Sequence, residues 1–119
     1  MTYTTDTIET RQDLTTILQQ NPGVIVLKFG AEWCGPCKTI EPLVQSYFDK
    51  SPPNILCMKV DIDDAFDLYA FLKSKKIVNG VPAILAYKVG NVGYAPDDVV
   101  IGADTSQVKM FFQRIGGGK

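Results

Sequence analysis

Histidine is absent from this sequence of 119 residues. Its absence excludes every mechanism that relies on an imidazole base, including Ser/His and Cys/His nucleophilic catalysis. The sequence also lacks a large excess of charge: the net charge is −1, and no run of Lys or Arg forms the basic surface of a nucleic-acid-binding protein. Apolar runs such as Val24–Leu27 and Ile84–Tyr87 are far shorter than the roughly 20 residues that cross a bilayer. We therefore expect neither a nucleic acid nor a membrane as a partner.

Cysteine is scarce as well. The three cysteines are too few and too unevenly spaced to form the set of disulfides that stabilises a small secreted protein. The first residues, Met1–Asp6, lack the basic and apolar regions of an export signal, so we expect a cytoplasmic protein. A composition with 45% hydrophobic and 21% charged residues is typical of a globular protein. We expect a monomer with one domain over residues 1–119, which ends in a flexible glycine-rich tail at 116–119.

Strand and helix patterns alternate along the chain. Apolar and β-branched runs predict strands over residues 24–29, 55–61 and 83–88, a hairpin partner at 98–101 and a short first strand at 3–5. The spacing of apolar residues predicts helices that begin after Thr10, near Cys37, near Ala65 with Asp63 or Asp64 as the cap, and after Asp104 or Thr105. This order predicts an α/β fold whose central mixed sheet of four to five strands is mainly parallel, with helices on both faces.

Cys34 and Cys37 lie three positions apart where the second helix is predicted to begin. This spacing puts both sulfurs on one face of the first turn, near enough to close a disulfide. The unpaired amides and the positive dipole of a helix start favour the thiolate at Cys34, and Pro36 suits the first turn. We therefore expect Cys34 to attack a substrate disulfide and Cys37 to resolve the mixed disulfide.

Other interpretations of the cysteine pair stay open at this point. A zinc site usually takes four ligands, whereas the chain offers Cys57 as its one further cysteine and has no histidine. An iron–sulfur centre would need two copies of the chain. A binding module could also retain the pair without turnover. We expect no metal and no dissociable cofactor, the redox-active Cys34–Cys37 disulfide being the working group.

The run Ala31–Lys38, with Pro42 in the following helix and Val81–Pro82 before a late strand, resembles the thioredoxin family over nearly the whole chain. The resemblance implies a thioredoxin fold. It also implies that the chain reduces disulfide-containing protein substrates through a mixed disulfide, with electrons from an upstream reductase or a small thiol. Pro42 corresponds to the proline that kinks the second helix of the family.

The resemblance also assigns residues that contact the substrate. Pro82 would be a cis proline that faces the cysteine pair, and the backbone at Val81 would pair with an extended substrate segment. Trp33 matches a tryptophan on the surface beside the pair. Substrate binding then falls on Trp33, Gly35, Pro36, Val81 and Pro82.

Lys28 departs from the family, because thioredoxins usually carry a buried Asp there that assists proton transfer at the second cysteine. Lys59 matches a family lysine. Without a carboxylate between them, two ammonium groups would repel each other, so we expect one to lose its proton or to swing toward water. A charged amine near Cys37 would stabilise its thiolate and make the pair more oxidising. The alternatives are that Lys28 merely extends to solvent, that the protein is a disulfide donor or isomerase, or that it is a non-catalytic adaptor.

Smaller departures from the family lie at positions that could affect how a substrate or partner is recognised. Gly30 and Ala83 replace an aromatic residue and a threonine that are common in the family. The loop over residues 90–98 is longer than usual and exposes Tyr94, and we expect it to be a solvated loop rather than a partner contact. Cys57 lies in a predicted central strand, where we expect an inert buried thiol.

Overall fold

The computed structural model describes residues 8–116, and within them four helices alternate with four strands. The helices are α1 (Arg11–Leu18), α2 (Gly35–Lys50), α3 (Phe66–Ser74) and α4 (Thr105–Arg114), and the strands are β1 (Val24–Gly30), β2 (Ile55–Asp61), β3 (Ala83–Lys88) and β4 (Asp98–Ile101). The predicted bounds of β2, β3 and β4 are confirmed. The predicted strand at residues 3–5 and all but the first residue of the predicted tail at 116–119 lie outside the described residues.

The described strands form one mixed sheet in the order β2–β1–β3–β4. The pair β1–β2 is parallel, whereas β1–β3 and β3–β4 are antiparallel. The expected mixed α/β sheet is confirmed, but the prediction that it is mainly parallel is wrong for these strands. The reason is that residues 75–82 return the chain to the end of β1 before β3 begins, so that Ala83 pairs with Phe29.

Helices cover both faces of the sheet, as predicted. Leucines of α1 and α3 pack on one face, and apolar side chains of α2 and α4 pack on the other. Tyr47 of α2 stacks on Phe112 of α4 with ring centroids 3.8 Å apart. None of the helices in residues 8–116 has the length and apolar character needed to cross a membrane.

Strand β1, one of the two inner strands of the described sheet, contributes side chains alternately to the two faces of the sheet. Ile25, Leu27 and Phe29 belong to the core under α1 and α3, whereas Val26 belongs to the core under α2 and α4. Because side chains alternate along a strand, Lys28 and Gly30 share the α2 face with Val26. This alternation brings Lys28 into the interior beside α2.

The helix starts follow the sequence in most cases. Thr10 caps α1 through a capping box, and Asp104 caps α4 by accepting two backbone amides. The prediction that Asp63 or Asp64 caps α3 is wrong: Ala65 is the cap residue and makes no side-chain cap bond. The carboxylate of Asp63 instead accepts a bond from Trp33.

The long loop over residues 90–98 lies against α3. Tyr94 contacts the ring of Phe71 edge-on, with centroids 5.3 Å apart, and its carbonyl accepts a bond from the hydroxyl of Tyr87 at 2.7 Å. Tyr94 as a whole residue is 41% exposed, so the loop is both anchored and in contact with solvent.

Gly23 occupies a crowded position where the chain enters β1. Its carbonyl accepts a bond from the Val89 amide, and the amide of the next residue, Val24, donates to the carbonyl of Asn54. The start of β2 and the end of β3 therefore meet at this position. A Cβ on Gly23 would lie 2.7 Å from the Asn54 carbonyl oxygen, which is closer than real Cβ atoms approach. Any side chain at this position must displace backbone.

We expect Gly23→Ala to lower the free energy of unfolding by about 1–3 kcal/mol, because the added methyl forces the backbone of Asn54 to move. The measurement is urea unfolding followed by circular dichroism. Gly93→Ala is the matched control, since a Cβ there would meet nothing closer than 3.7 Å. The control should change stability by less than about 1 kcal/mol. Equal stabilities for the two variants would contradict this account of the turn.

Cys57 lies in the middle of β2 and is fully buried, which confirms the predicted burial. Its thiol donates to the hydroxyl oxygen of Ser51 at 3.7 Å. Burial raises the pKa of Cys57 from 9.0 to about 11, because the charged thiolate is disfavoured away from water, and the bond to Ser51 offsets only part of this effect.

We expect Cys57 to resist alkylation in the folded protein. The raised pKa alone lowers its thiolate population at neutral pH by about 100-fold. The measurement is the rate of reaction with iodoacetamide in a Cys34→Ser/Cys37→Ser variant, in which Cys57 is the remaining thiol. The same variant unfolded in guanidinium is the control and should react as a free thiol does. Rapid alkylation of the folded variant would show the thiol to be accessible and ionised, against expectation.

Candidate active site

The start of α2 positions the cysteine pair. Cys34 is the N-cap residue, and its Sγ accepts the backbone amide of Cys37 at 3.1 Å. Pro36 lies in the first turn, where the lack of an N–H has no cost. The amide of Cys34 donates to the carbonyl of Ala31, which ties the loop after β1 to the helix start. The helix therefore begins where the sequence predicted, with one sulfur at its positive end.

Cys34 and Cys37 form a disulfide, with Cα atoms 5.3 Å apart. In this oxidised form the two residues are almost equally buried, with 4% of Cys34 and 3% of Cys37 exposed. The two residues differ instead in their surroundings. Cys34 lines a groove of about 490 Å³, whereas Cys37 lines a separate cavity of about 340 Å³ beside β1 and β2.

The groove brings together four of the five residues expected to bind substrate. Trp33, Gly35, Pro36 and Val81 line it together with Cys34. The Val81–Pro82 peptide bond is cis, as the resemblance implied, and the carbonyl oxygen of Val81 lies 3.7 Å from Cys34 Sγ. Pro82, the fifth of these residues, is buried and is not among the residues that line the groove, and its carbonyl accepts a bond from the Gly102 amide.

Trp33 lies on the surface beside the pair, as expected, with 67% of its area exposed. Its Nε1 donates to Asp63 Oδ2 at 2.9 Å, which fixes the orientation of the ring. Sequence reasoning missed Asp63 as a site residue, because a carboxylate before a helix is typical of a cap. It also missed the other residues that line the groove, which are Ile62, Tyr69, Lys73, Asn79 and Gly80.

A charged cluster lies beside the cavity on the Cys37 side. Lys28 Nζ donates to Glu41 Oε1 at 2.8 Å, and Lys59 Nζ donates to Glu41 Oε2 and to Gln45 Oε1. The expectation that no carboxylate separates the two lysines is therefore wrong. Lys28 is only 6% exposed, so the alternative in which it extends to solvent is wrong as well.

The cluster follows from the register of the sheet and the period of α2. Lys28 and Lys59 are directly paired across β1 and β2. Cys37, Glu41 and Gln45 repeat every four residues, so they share one face of α2. The i, i+4 spacing was visible in the sequence, but the face of α2 that meets the lysines depends on how the helix packs on the sheet.

The pKa of Glu41 lies below its ordinary value. Burial alone would raise it, but the hydrogen bonds from Lys28 and Lys59 and their positive charges have the larger combined effect. Glu41 is therefore a carboxylate at neutral pH, and it compensates part of the charge of the two lysines.

Gly30 leaves open the space between the cluster and the cysteine pair. A Cβ on Gly30 would lie 3.4 Å from Cys37 Sγ and 3.4 Å from Lys28 Nζ. The volume of about one methyl group thus separates the sulfur from the amine. Among residues 8–116, no group of three or more His, Cys, Asp or Glu side chains could hold a metal ion.

This arrangement suits reversible thiol–disulfide exchange. One sulfur lies at a helix start and faces a surface groove that a peptide could enter, and the other lies one turn along the helix beside charged groups that could affect its ionisation.

Comparisons with known proteins agree with this geometry. The family model named Thioredoxin matches residues 6–114. The chain is 36% identical over 93 residues to a mitochondrial thioredoxin of Mus musculus, an alignment that covers 78% of this chain and 52% of that protein. It is 30% identical over 107 residues to thioredoxin 1 of Plasmodium falciparum (isolate 3D7), which covers 90% of this chain and 93% of that protein. The X-ray structure of Fasciola hepatica thioredoxin superimposes with a TM-score of 0.70 at 27% identity, over 96% of this chain and 98% of that chain.

The matches cover different shares of the relatives' own lengths. The chain spans about half the length of the mouse mitochondrial protein but nearly the whole length of the Plasmodium and Fasciola proteins. The family model covers both cysteines, the tryptophan before them and the cis proline that faces them. The chain therefore belongs to the thioredoxin family.

Proposed function

We propose that this chain is a thiol–disulfide oxidoreductase that reduces disulfides in proteins. The observation that carries the proposal is the Cys34–Cys37 disulfide at the start of α2, with Cys34 in a groove beside the Val81 carbonyl. The mouse and Plasmodium relatives described above are both named thioredoxins, and their names support the same activity.

Cys34 is the nucleophile in this proposal. In the dithiol form its thiolate attacks one sulfur of a substrate disulfide, and the other substrate sulfur leaves as a thiolate. Cys37 then attacks Cys34, which forms the intramolecular disulfide and releases the second substrate sulfur. Two electrons pass to the substrate, and the protein ends in the oxidised form. The amide of Cys37 supports this assignment, because it points at the sulfur of Cys34.

The substrate class is an extended protein segment that contains a disulfide. In this proposal the carbonyl of Val81 accepts a backbone amide from such a segment, and Trp33, which is exposed and lines the same groove, packs against it. Gly35 and Pro36 complete the rim, and a Cβ on Gly35 would meet no atom within 4 Å, so this part of the rim is open.

The electrons must come from an upstream reductase or a small thiol. A reducing compartment suits such a cycle, and the cytoplasm is the compartment we propose. A mitochondrial compartment is the second candidate, because the matched mouse protein is named a mitochondrial thioredoxin.

A protein-disulfide reduction assay with dithiothreitol tests the proposed activity. We expect the wild-type protein to accelerate reduction of insulin above the rate of the free thiol, and Cys34→Ser to abolish the acceleration. An adaptor without turnover would leave the rate at that of dithiothreitol alone, and this outcome would end the enzymatic proposal.

Covalent trapping tests the roles of the two cysteines. We expect Cys37→Ser to accumulate mixed disulfides with substrate proteins, because the attack by Cys34 still occurs while the resolving thiol is missing. Cys34→Ser is the matched control and should trap far less. The measurement is the yield of disulfide-linked adducts on non-reducing gels. Comparable yields from both variants would overturn the assignment of Cys34 as the nucleophile.

A disulfide donor or isomerase is the second candidate function, and the buried ammonium of Lys28 favours it. Lys28 and Lys59 share the carboxylate of Glu41, and the amine of Lys28 borders the same small volume as Cys37 Sγ. Positive charge stabilises a thiolate and hence the reduced form, which raises the reduction potential.

We expect Lys28→Met to lower the reduction potential of the Cys34–Cys37 pair by about 30 mV, which corresponds to about 1.4 kcal/mol of lost stabilisation of the reduced form. The measurement is a redox titration against glutathione. Lys38→Met is the matched control, because Lys38 lines the same cavity but is exposed. Its potential should stay within about 10 mV of wild type. An unchanged or higher potential in Lys28→Met would refute the role of Lys28.

A further inference from the structure

The resolving step poses a problem of proton transfer that the cysteines do not solve themselves. Cys37 must lose its thiol proton before it can attack Cys34 in the mixed disulfide. The residue is 3% exposed, so bulk water has poor access to it. An acceptor for this proton must therefore lie in the cavity beside Cys37.

Six charged side chains line that cavity, and three of them are carboxylates. The charged residues are Lys28, Glu32, Lys38, Glu41, Lys59 and Asp61. Lysines in their ammonium form cannot accept a proton, which leaves Glu32, Glu41 and Asp61 as candidates.

The three carboxylates differ in the contacts that they make. Glu32 is exposed on the surface of the loop after β1. Asp61 accepts the backbone amide of Asp63 at 2.8 Å. Glu41 lies one helical turn after Cys37 on the same face of α2, a spacing at which side chains are neighbours. It is also the carboxylate bonded to Lys28, whose Nζ borders the same small volume as Cys37 Sγ.

We propose that Glu41 accepts the proton that Cys37 loses, and that Lys28 then pairs with the new thiolate in place of the neutralised carboxylate. The proton passes directly or through one water molecule, for which a cavity of about 340 Å³ has room. Glu41 is the proton acceptor in this inference, and Lys28 is a positioning residue. The inference rests on the proposed dithiol activity and adds a residue to it.

Charge conservation in the cavity supports this transfer. When the proton moves from Cys37 to Glu41, the negative charge moves from the carboxylate to the sulfur, and both positions lie beside the same ammonium group of Lys28. The total charge enclosed by the cavity does not change. A transfer that exposed a new uncompensated charge at a buried site would be much more costly.

The step balances in atoms and electrons. The S–H bond of Cys37 breaks, its proton joins a Glu41 carboxylate oxygen, and its electron pair forms the bond to Cys34 Sγ. The bond between Cys34 and the substrate sulfur breaks, and the substrate leaves as a thiolate. Glu41 then returns its proton to the leaving thiolate or to water.

The test separates the two chemical steps in a single turnover with dithiobis(nitrobenzoate). Attack by Cys34 releases one coloured thiolate, and resolution by Cys37 releases the second, so stopped-flow absorbance records two phases. We expect Glu41→Gln to slow the second phase by about 10- to 100-fold at neutral pH and to leave the first phase within about twofold of wild type. The second phase of the variant should also rise more steeply with pH than that of wild type, because hydroxide replaces the lost acceptor.

Glu32→Gln is the matched control, since it removes one negative charge from the same cavity. Both of its phases should stay within about twofold of wild type. A second phase in Glu41→Gln that is slowed by no more than about threefold, or a slowing of equal size in Glu32→Gln, would overturn the role of Glu41. A wild-type protein that releases no thiolate in the first phase would instead contradict the proposed dithiol activity, so the two failures are distinguishable.

Glu41→Ala supplies a second test that does not depend on the fold of the Gln variant. Truncation leaves room for a small carboxylate, so added formate should accelerate the second phase in proportion to its concentration and should leave the wild-type phase unchanged. A second phase that is independent of formate would contradict proton acceptance at this position.

Discussion

The hydrogen bond from the Cys37 amide to Cys34 Sγ is the interaction on which the site depends. It exists because α2 begins at Gly35 and uses Cys34 as its cap, so the sulfur takes the place of the oxygen that usually caps a helix. The bond requires β1 to end at Gly30 and the chain to turn within residues 31–34. Together these conditions place the polarised sulfur of Cys34 just beyond the C-terminal end of β1, where the carbonyl oxygen of Val81 lies 3.7 Å from it.

The two sulfurs divide the chemistry because they face different surroundings. Cys34 lies in a groove with an exposed tryptophan and a backbone acceptor, which suits an approaching peptide. Cys37 lies beside a charged cavity bordered by Lys28 and Glu41, which suits the gain and loss of a proton. The face of α2 that carries Cys37, Glu41 and Gln45 thus connects the redox pair to the paired lysines of the sheet. The buried lysine at position 28, paired with Glu41, is the feature by which the chain departs from the family pattern.

The sequence was sufficient for those features that local chemistry decides. Apolar β-branched runs predicted β2 and β3 to the residue, Thr10 and Asp104 predicted caps, and the spacing of Cys34 and Cys37 predicted the disulfide. It was insufficient where long-range packing decides. The direction of β3 depends on the path of residues 75–82, and the bond between Glu41 and Lys28 depends on which face of α2 meets the sheet. No local sequence pattern pairs a lysine of β1 with a glutamate of α2, because the two side chains meet only in the folded chain.

The proposed chemistry depends on the acidity of Cys34 in the reduced protein. The most direct measurement is the pH dependence of alkylation by iodoacetamide, with the modified residue identified by mass spectrometry. The helix start should lower the pKa of Cys34 below the value of about 8.5 that is found for a free cysteine, so alkylation at Cys34 should already be near its maximal rate at neutral to mildly alkaline pH. A midpoint at or above about 8.5 would contradict the account, because the capping amide would then leave the sulfur no more acidic than a thiol in water.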